Sequence, residues 1–249
     1  MAQSTPVASP AGGAPTVVLV HGSFADASGW AGVIDRLRAD GTAVVAPANP
    51  QRGVSLDAAY IASVVNNIPG PVLLVGHSYG GFVITNAATQ TPNVVGLVYV
   101  AGFAPDEGES VLSLSQSGPP TKLGPALRPS EVANGPAGET GVEFIIDPAQ
   151  FHEAFCADLP DELAATMAVS QRPAAEAGFG EPSGPPAWKT LPSWAVIATD
   201  DVTIGADGLR FFAQRAGSTT VEVQASHVVM ISQPDAVTDL IRTALGSVS

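Results

Sequence analysis

Six short apolar, β-branched runs punctuate the chain, at Thr16 to Val20, Thr42 to Pro47, Pro71 to Val75, Val94 to Ala101, Ser193 to Thr199 and Thr219 to Ala225. Unbroken apolar runs of this length suit strands buried on both faces, as in a parallel sheet. Between them the spacing turns helical: Trp30, Val33, Ile34 and Leu37 make one apolar face, and Leu56, Tyr60, Ile61, Val64, Val65 and Ile68 a second. The order reads βαβαβαβ, an interruption, then βαβα. Strands alternating with helices predict a doubly wound, mainly parallel sheet of about six strands, whose ligands sit beyond the carboxyl ends of the strands. The interruption, about residues 103–191, carries Ser, Gly and Pro clusters and two helical patterns, Pro148 to Ala157 and Pro160 to Ser170. It is expected to form a cap over that edge.

The run Pro71-Val-Leu-Leu-Val75 leads into Gly76-His77-Ser78-Tyr79-Gly80-Gly81 and then Phe82-Val-Ile-Thr-Asn-Ala-Ala. In a chain with 26 glycines, Gly-x-Ser-x-Gly can arise by accident. A strand before it and a helix after it mark instead a sharp strand-to-helix turn that lifts a serine out of the sheet edge. Gly76 and Gly80 suit that turn because a Cβ at either place would meet the neighbouring strand and helix. Ser78 is the candidate nucleophile, and the helix N-terminus beneath it supplies positive potential.

A serine hydroxyl needs a base, and the base needs a third group to hold its tautomer. Both are expected downstream, each on a loop after a later strand. Ser193-Trp-Ala-Val-Ile-Ala-Thr199 ends in Asp200-Asp201, and Thr220-Val-Glu-Val-Gln-Ala-Ser226 ends in His227. We read His227 as the base and Asp201 as the acid, with Asp200 as the fallback and Asp106 as a third candidate. The oxyanion of a tetrahedral intermediate needs two donors: the amide of Tyr79, after the nucleophile, and that of Phe24 or Ser23 in His21-Gly22-Ser23-Phe24, with Phe24 preferred. His21, His77 and His152 are expected to be structural.

Charge and cysteine content narrow the partners. Ten Lys and Arg against 23 Asp and Glu give a formal charge of −13, which repels nucleic acid and anionic membrane surfaces. Cys156, the single cysteine, cannot make an internal disulfide and is expected to be buried and inert. Met1 to Pro15 has no basic start or apolar run and reads as a flexible leader before a single domain over residues 16–249. No stretch reaches the ~18 apolar residues of a membrane span, so a cytoplasmic location is expected. In the cap, Phe144, Phe151, Phe155, Met167, Phe179 and Trp188 are candidate apolar walls, with Trp188, Phe144 and Phe155 foremost. Its few cations, chiefly Lys122, Arg128, Arg172 and Lys189, favour neutral substrates.

Together these motifs make the chain resemble the α/β-hydrolase superfamily over nearly its whole length beyond the leader. Leu19-Val20-His21-Gly22-Ser23-Phe24 with Trp30, Gly76 to Gly81, Tyr99-Val-Ala-Gly-Phe-Ala-Pro105 and Ser226-His227 are similar to the small serine esterase branch, with bacterial carboxylesterases, plant methylesterases and plant hydroxynitrile lyases. The resemblance implies an α/β-hydrolase fold with a mobile helical cap inserted before the acid-bearing strand. It also implies a catalytic triad and a cofactor-independent enzyme with no metal. In that branch the acid lies in a Thr-Glu-Asp type segment, which Thr199-Asp200-Asp201 matches at Asp201. Haloalkane dehalogenases and epoxide hydrolases carry aspartate where this chain has Ser78, and the lyases carry lysine where it has Val228. The expectation is a carboxylesterase for small, mostly apolar esters. Lactone or C–C bond hydrolysis or perhydrolysis by the same triad is one alternative, and a non-catalytic ligand-binding protein on the same fold is another. The expected partner is a small-molecule ester, and a homodimer is the one macromolecular association left open.

Overall fold

The computed structural model describes residues 13–133 and 139–248. The leader expected at residues 1–15 falls outside them except for its last three residues.

Six parallel strands form the main sheet: β1 (Thr16–Val20), β2 (Val44–Val45), β3 (Val72–His77), β4 (Val94–Val100), and, after the interruption, two further strands. Three strands of the interruption, β5 (Leu127–Ala133), β6 (Thr140–Ile146) and β7 (Ala174–Ala175), pair antiparallel in a separate small sheet. The main sheet resumes with β8 (Ser193–Ala198) and β9 (Thr219–Val223), giving the order β2-β1-β3-β4-β8-β9. The central strands β1, β3 and β8 are buried throughout, while the edges β2 and β9 are half-covered. That gradient explains why the central runs are almost wholly apolar, whereas β9 mixes polar and apolar residues. The expected strand Thr42 to Pro47 shrinks to Val44–Val45, the two residues in register with Val17 and Val18 of β1.

Helix Ala31–Ala39 packs on helix Pro234–Val248, and helix Val54–Asn66 on helix Gly80–Ala87. The first expected face is met, with Trp30, Val33 and Leu37 buried and Ile34 partly so. The second is rotated. Val54, Asp57, Ala58, Ile61, Ala62 and Val65 face inward, leaving Leu56 and Tyr60 53% and 43% exposed. The small side chains Ala58 and Ala62 bring this helix close to its neighbour, and the carboxylate of Asp57 is tolerated inside because it is hydrogen-bonded.

Between β4 and β8 the chain forms helices Val111–Ser117, Leu123–Ala126, Pro148–Phe155, Asp161–Val169 and Glu176–Gly180 around the small antiparallel sheet. The expected helical cap is therefore mixed. Alternation at Val142, Phe144 and Ile146 gives β6 one apolar face, and pairing with β5 and β7 satisfies its backbone. Among the described residues no helix is long and apolar enough to cross a membrane.

The chain steps from β1 outward to β2 and then back to β3 on the other side of β1. This reversal opens a crevice beyond the carboxyl ends of β1 and β3, the place where doubly wound sheets bind ligands.

Candidate active site

Ser78 stands at that crevice, directly after β3, with φ of +54°, a left-handed backbone that costs energy for a residue with a Cβ. The surroundings hold it there. Its carbonyl accepts from the amides of Gly81 at 2.9 Å and Phe103 at 3.2 Å, and its own amide donates to Val100 at 3.3 Å. The two glycines of the motif admit this turn by close approach: a Cβ on Gly76 would lie 2.5 Å from the Gly80 carbonyl oxygen, and one on Gly80 would lie 2.5 Å from that of Val20.

Asp201 and His227 follow β8 and β9 at the same edge of the sheet. Nδ1 of His227 lies 2.7 Å from Oδ2 of Asp201, with both side chains fully buried. Oδ1 of Asp201 accepts the amides of Thr203 at 2.7 Å and Ile204 at 2.9 Å. Burial alone would raise this carboxyl's pKa, but the imidazole and the two amides outweigh it and hold the group below the usual carboxylate value. An ionised Asp201 fixes the proton of a neutral His227 on Nδ1. That leaves Nε2 as the acceptor, and Nε2 is buried with no hydrogen-bond partner among the described residues. No hydrogen bond joins it to Ser78 among these residues.

Ser78 and Tyr79 share a cavity of about 30 Å³ with Ser23 and Phe24 from the loop after β1. Phe24 also has a left-handed backbone, φ +63°. Among the described residues the amides of Phe24 and Tyr79 have no acceptor, so both remain available to a developing oxyanion. Phe103, Val111, Leu123, Phe155, Phe179 and Ile204 complete mostly apolar walls. A larger cleft, about 170 Å³, shares only Phe24 with this cavity and is lined by Leu163, Met167, Val228 and Met230 among others.

The remaining candidates sort by geometry. Asp200 is exposed, and Asp106 sits on the surface, 2.5 Å from Lys189. Neither reaches His227. Of the expected walls, Phe155 lines the cavity, and its ring lies 5.1 Å from that of His227. Phe144 does not; it packs edge-on behind Phe179 at 5.5 Å, because the pairing of β6 sets it one layer away. Trp188 does not either. Its indole donates to the Pro105 carbonyl at 2.8 Å and lies under Lys189 and Arg215, which turns it away from Ser78. Met167 belongs to the larger cleft and Phe151 to the core behind Phe155. Three of the cap cations, Lys122, Arg128 and Lys189, are paired with Glu153, Asp147 and Asp106.

The other histidines hold backbone. His21 donates from Nδ1 to the Gly22 carbonyl at 3.0 Å and accepts the Asn49 amide on Nε2 at 2.9 Å; burial lowers its pKa. His77 donates from Nε2 to the carbonyl of His227 at 2.9 Å, and burial, with the adjacent His227, pushes its pKa well down. His152 binds the Leu159 carbonyl at 2.9 Å. Burial and the nearby Asp158 push the Cys156 thiol up to about 12, which makes it inert at neutral pH.

One supporting residue, Asp57, escaped the sequence. The hydroxyl of Tyr79 donates to Oδ2 of Asp57 at 2.9 Å, anchoring the residue that follows Ser78 to helix Val54–Asn66. Burial raises the Asp57 carboxyl's pKa. A lone aspartate in a helical pattern reads as solvent-facing, so no local signal marks this contact. His77 was seen, but its bond to the peptide of His227 spans 150 positions.

Known proteins place this geometry in context. A carbendazim-hydrolysing esterase of Nocardioides sp. (strain SG-4G) is 34% identical over 111 residues, which span 39% of this chain and 46% of that one. The alpha/beta hydrolase nvfD of Aspergillus novofumigatus is 25% identical over 93% of this chain and 97% of its own length. Among solved structures, a pyrethroid hydrolase from Sphingobium faniae JZ-2 superposes with a TM-score of 0.77 at 20% identity, covering 94% of this chain and 98% of the other. The alpha/beta hydrolase family model matches residues 17–240, which include every strand but the first residue of β1 and every side chain of the site; the chain belongs to the alpha/beta hydrolase family and is one of its enzymes.

Proposed function

We propose that this enzyme hydrolyses carboxylic esters of small, mostly apolar substrates through an acyl-enzyme intermediate on Ser78. His227 Nε2 takes the proton of Ser78 Oγ as the oxygen attacks the ester carbonyl carbon. The amides of Tyr79 and Phe24 hold the resulting oxyanion, and ionised Asp201 stabilises the imidazolium. The imidazolium then passes its proton to the departing alkoxide, the C–O bond breaks, and the acyl group stays on Ser78. Water, deprotonated by the same Nε2, releases the acid in the second half of the cycle.

The observation that carries this reading is the buried Asp201–His227 pair at 2.7 Å with an unpartnered Nε2, at the sheet edge where Ser78 stands on its strained turn. The apolar walls around Ser78 and the pairing of three of the four cap cations, Lys122, Arg128 and Lys189, support a neutral substrate. The esterase named among the relatives adds support for the reaction class.

Hydrolysis of 4-nitrophenyl esters of increasing acyl length, with methyl esters and lactones alongside, tests the proposal. Wild-type enzyme should cleave short apolar esters and be labelled at Ser78 by a fluorophosphonate, and Ser78→Ala should lose both properties. Full esterase activity in Ser78→Ala would sink the mechanism.

A further inference from the structure

The turn after helix Pro148–Phe155 reaches under the cap to the loop that bears His227. Oδ2 of Asp158 accepts the amide of Ser226 at 3.0 Å, and Oδ1 accepts the Ser226 hydroxyl. Both donors of the residue preceding His227 thus end on one cap carboxylate. Ser226 is buried, whereas Asp158 remains largely open to solvent. Burial works to raise the Asp158 carboxyl's pKa, but the bonds from Ser226, with the Ser232 hydroxyl nearby, outweigh it and keep the group below its ordinary value, ionised at neutral pH.

The same stretch of cap also touches the acid loop. The hydroxyl of Thr203 donates to the Ala154 carbonyl at 2.6 Å, and the amide of Thr203 is one of the two that hold Asp201, at 2.7 Å. Between these anchors, Phe155 sets its ring 5.1 Å from the His227 imidazole. Within five consecutive residues, 154–158, the cap therefore engages the acid loop, the imidazole and the peptide that carries it.

We propose that Asp158 is a positioning residue for His227, and that residues 154–158 are a fixed brace tying the acid and histidine loops together rather than part of a moving lid. The proposal rests on the reading of His227 as the base for Ser78. The need for a brace follows from topology. His227 lies beyond β9, a half-exposed edge strand, so the sheet holds its loop from one side only. Displacing a base by ~1 Å can cost about 100-fold in rate.

The test compares Asp158→Ala, Asp158→Asn, Ser226→Ala and the double variant Asp158→Ala/Ser226→Ala in the intact chain, using 4-nitrophenyl acetate and counting active sites by fluorophosphonate labelling. Asp158→Ala should lower kcat about 10- to 100-fold, with KM within about twofold of wild type. Asp158→Asn keeps an acceptor oxygen and should fall between. The double variant should be about as slow as Asp158→Ala, because the two residues share their bonds. A kcat within about twofold of wild type in Asp158→Ala, or a loss confined to KM, overturns the proposal. Should Asp158→Ala fail to fold, Asp158→Asn against Ser226→Ala decides it on the same terms. Activity that survives Ser78→Ala would sink the serine reading itself. A serine-dependent enzyme indifferent to Asp158 sinks only the brace.

Discussion

Replacing Asp201 with asparagine probes the site with almost no change of shape. In the wild type, Oδ1 faces the amides of Thr203 and Ile204, and Oδ2 faces Nδ1 of His227 at 2.7 Å. An asparagine would keep its carbonyl oxygen on the two amides, since turning its NH2 toward them would set donor against donor in a buried site. The NH2 would then face Nδ1, and only an unprotonated Nδ1 can accept from it. The imidazole proton moves to Nε2, the atom that receives the proton of Ser78 in the proposed mechanism. The same tautomer reversal in a chymotrypsin-type triad lowers kcat by about 10⁴. We expect a loss of that order here, equivalent to about 5 kcal/mol at ~1.36 kcal/mol per decade. Initial rates on 4-nitrophenyl acetate should show the loss in kcat, with thermal unfolding confirming an intact fold. Asp200→Asn is the control, because Asp200 is exposed and should tolerate the change. A folded Asp201→Asn variant within about tenfold of wild-type kcat, or an equal loss in Asp200→Asn, would refute the tautomer argument.

Three further outcomes are expected. Gly80→Ala drives a Cβ to 2.5 Å from the Val20 carbonyl oxygen in β1, backbone against backbone, and should cost about 3 kcal/mol or more; an unchanged Tm would contradict the close packing of the turn. Phe179→Ala removes a wall of the small cavity over Ser78 and should move the preferred 4-nitrophenyl ester toward longer acyl chains, whereas an unmoved optimum would return Phe179 to ordinary cap packing. Asp201 is held below the ordinary carboxyl pKa, so its contribution to stability is complete above the unfolded value of about 3.9 and fades as pH falls through the folded value. Urea unfolding from about pH 6 to pH 3 should then show a loss of stability in wild type that is smaller in Asp201→Asn, and parallel curves would argue against an ionised Asp201 in the native state.

The parts of this protein that were legible from sequence are those whose constraints lie within a few neighbouring residues. β1, β3 and β8 could be seen as continuous apolar runs because both faces of a central parallel strand are covered. The turn at Ser78 could be seen because strand, glycines and helix adjoin within one short segment. Helix Val54–Asn66 shows where this stops: its existence follows from periodicity, but its inward face includes Asp57, whose burial makes sense only beside Tyr79, 22 positions away. The cap shows it again. β6 alternates openly, but its partner β5 is largely polar and exposed, so the antiparallel sheet has no equal signal on both strands.

The site divides along the same line. Sequence by itself determined that Ser78 would stand on a strained turn, and that an acid and a histidine would follow on later strand ends, because motif and chain order are local or ordinal properties. Only the tertiary structure decided that Asp201 rather than its neighbour Asp200 reaches His227, that Phe155 lines the cavity while Trp188 is pulled aside to Pro105 and Arg215, and that Asp158 grips the peptide before the histidine. Each of these is a meeting of side chains far apart in the chain. Which of two adjacent groups makes such a contact depends on where a partner is packed, and burial without that partner would cost more than the contact returns.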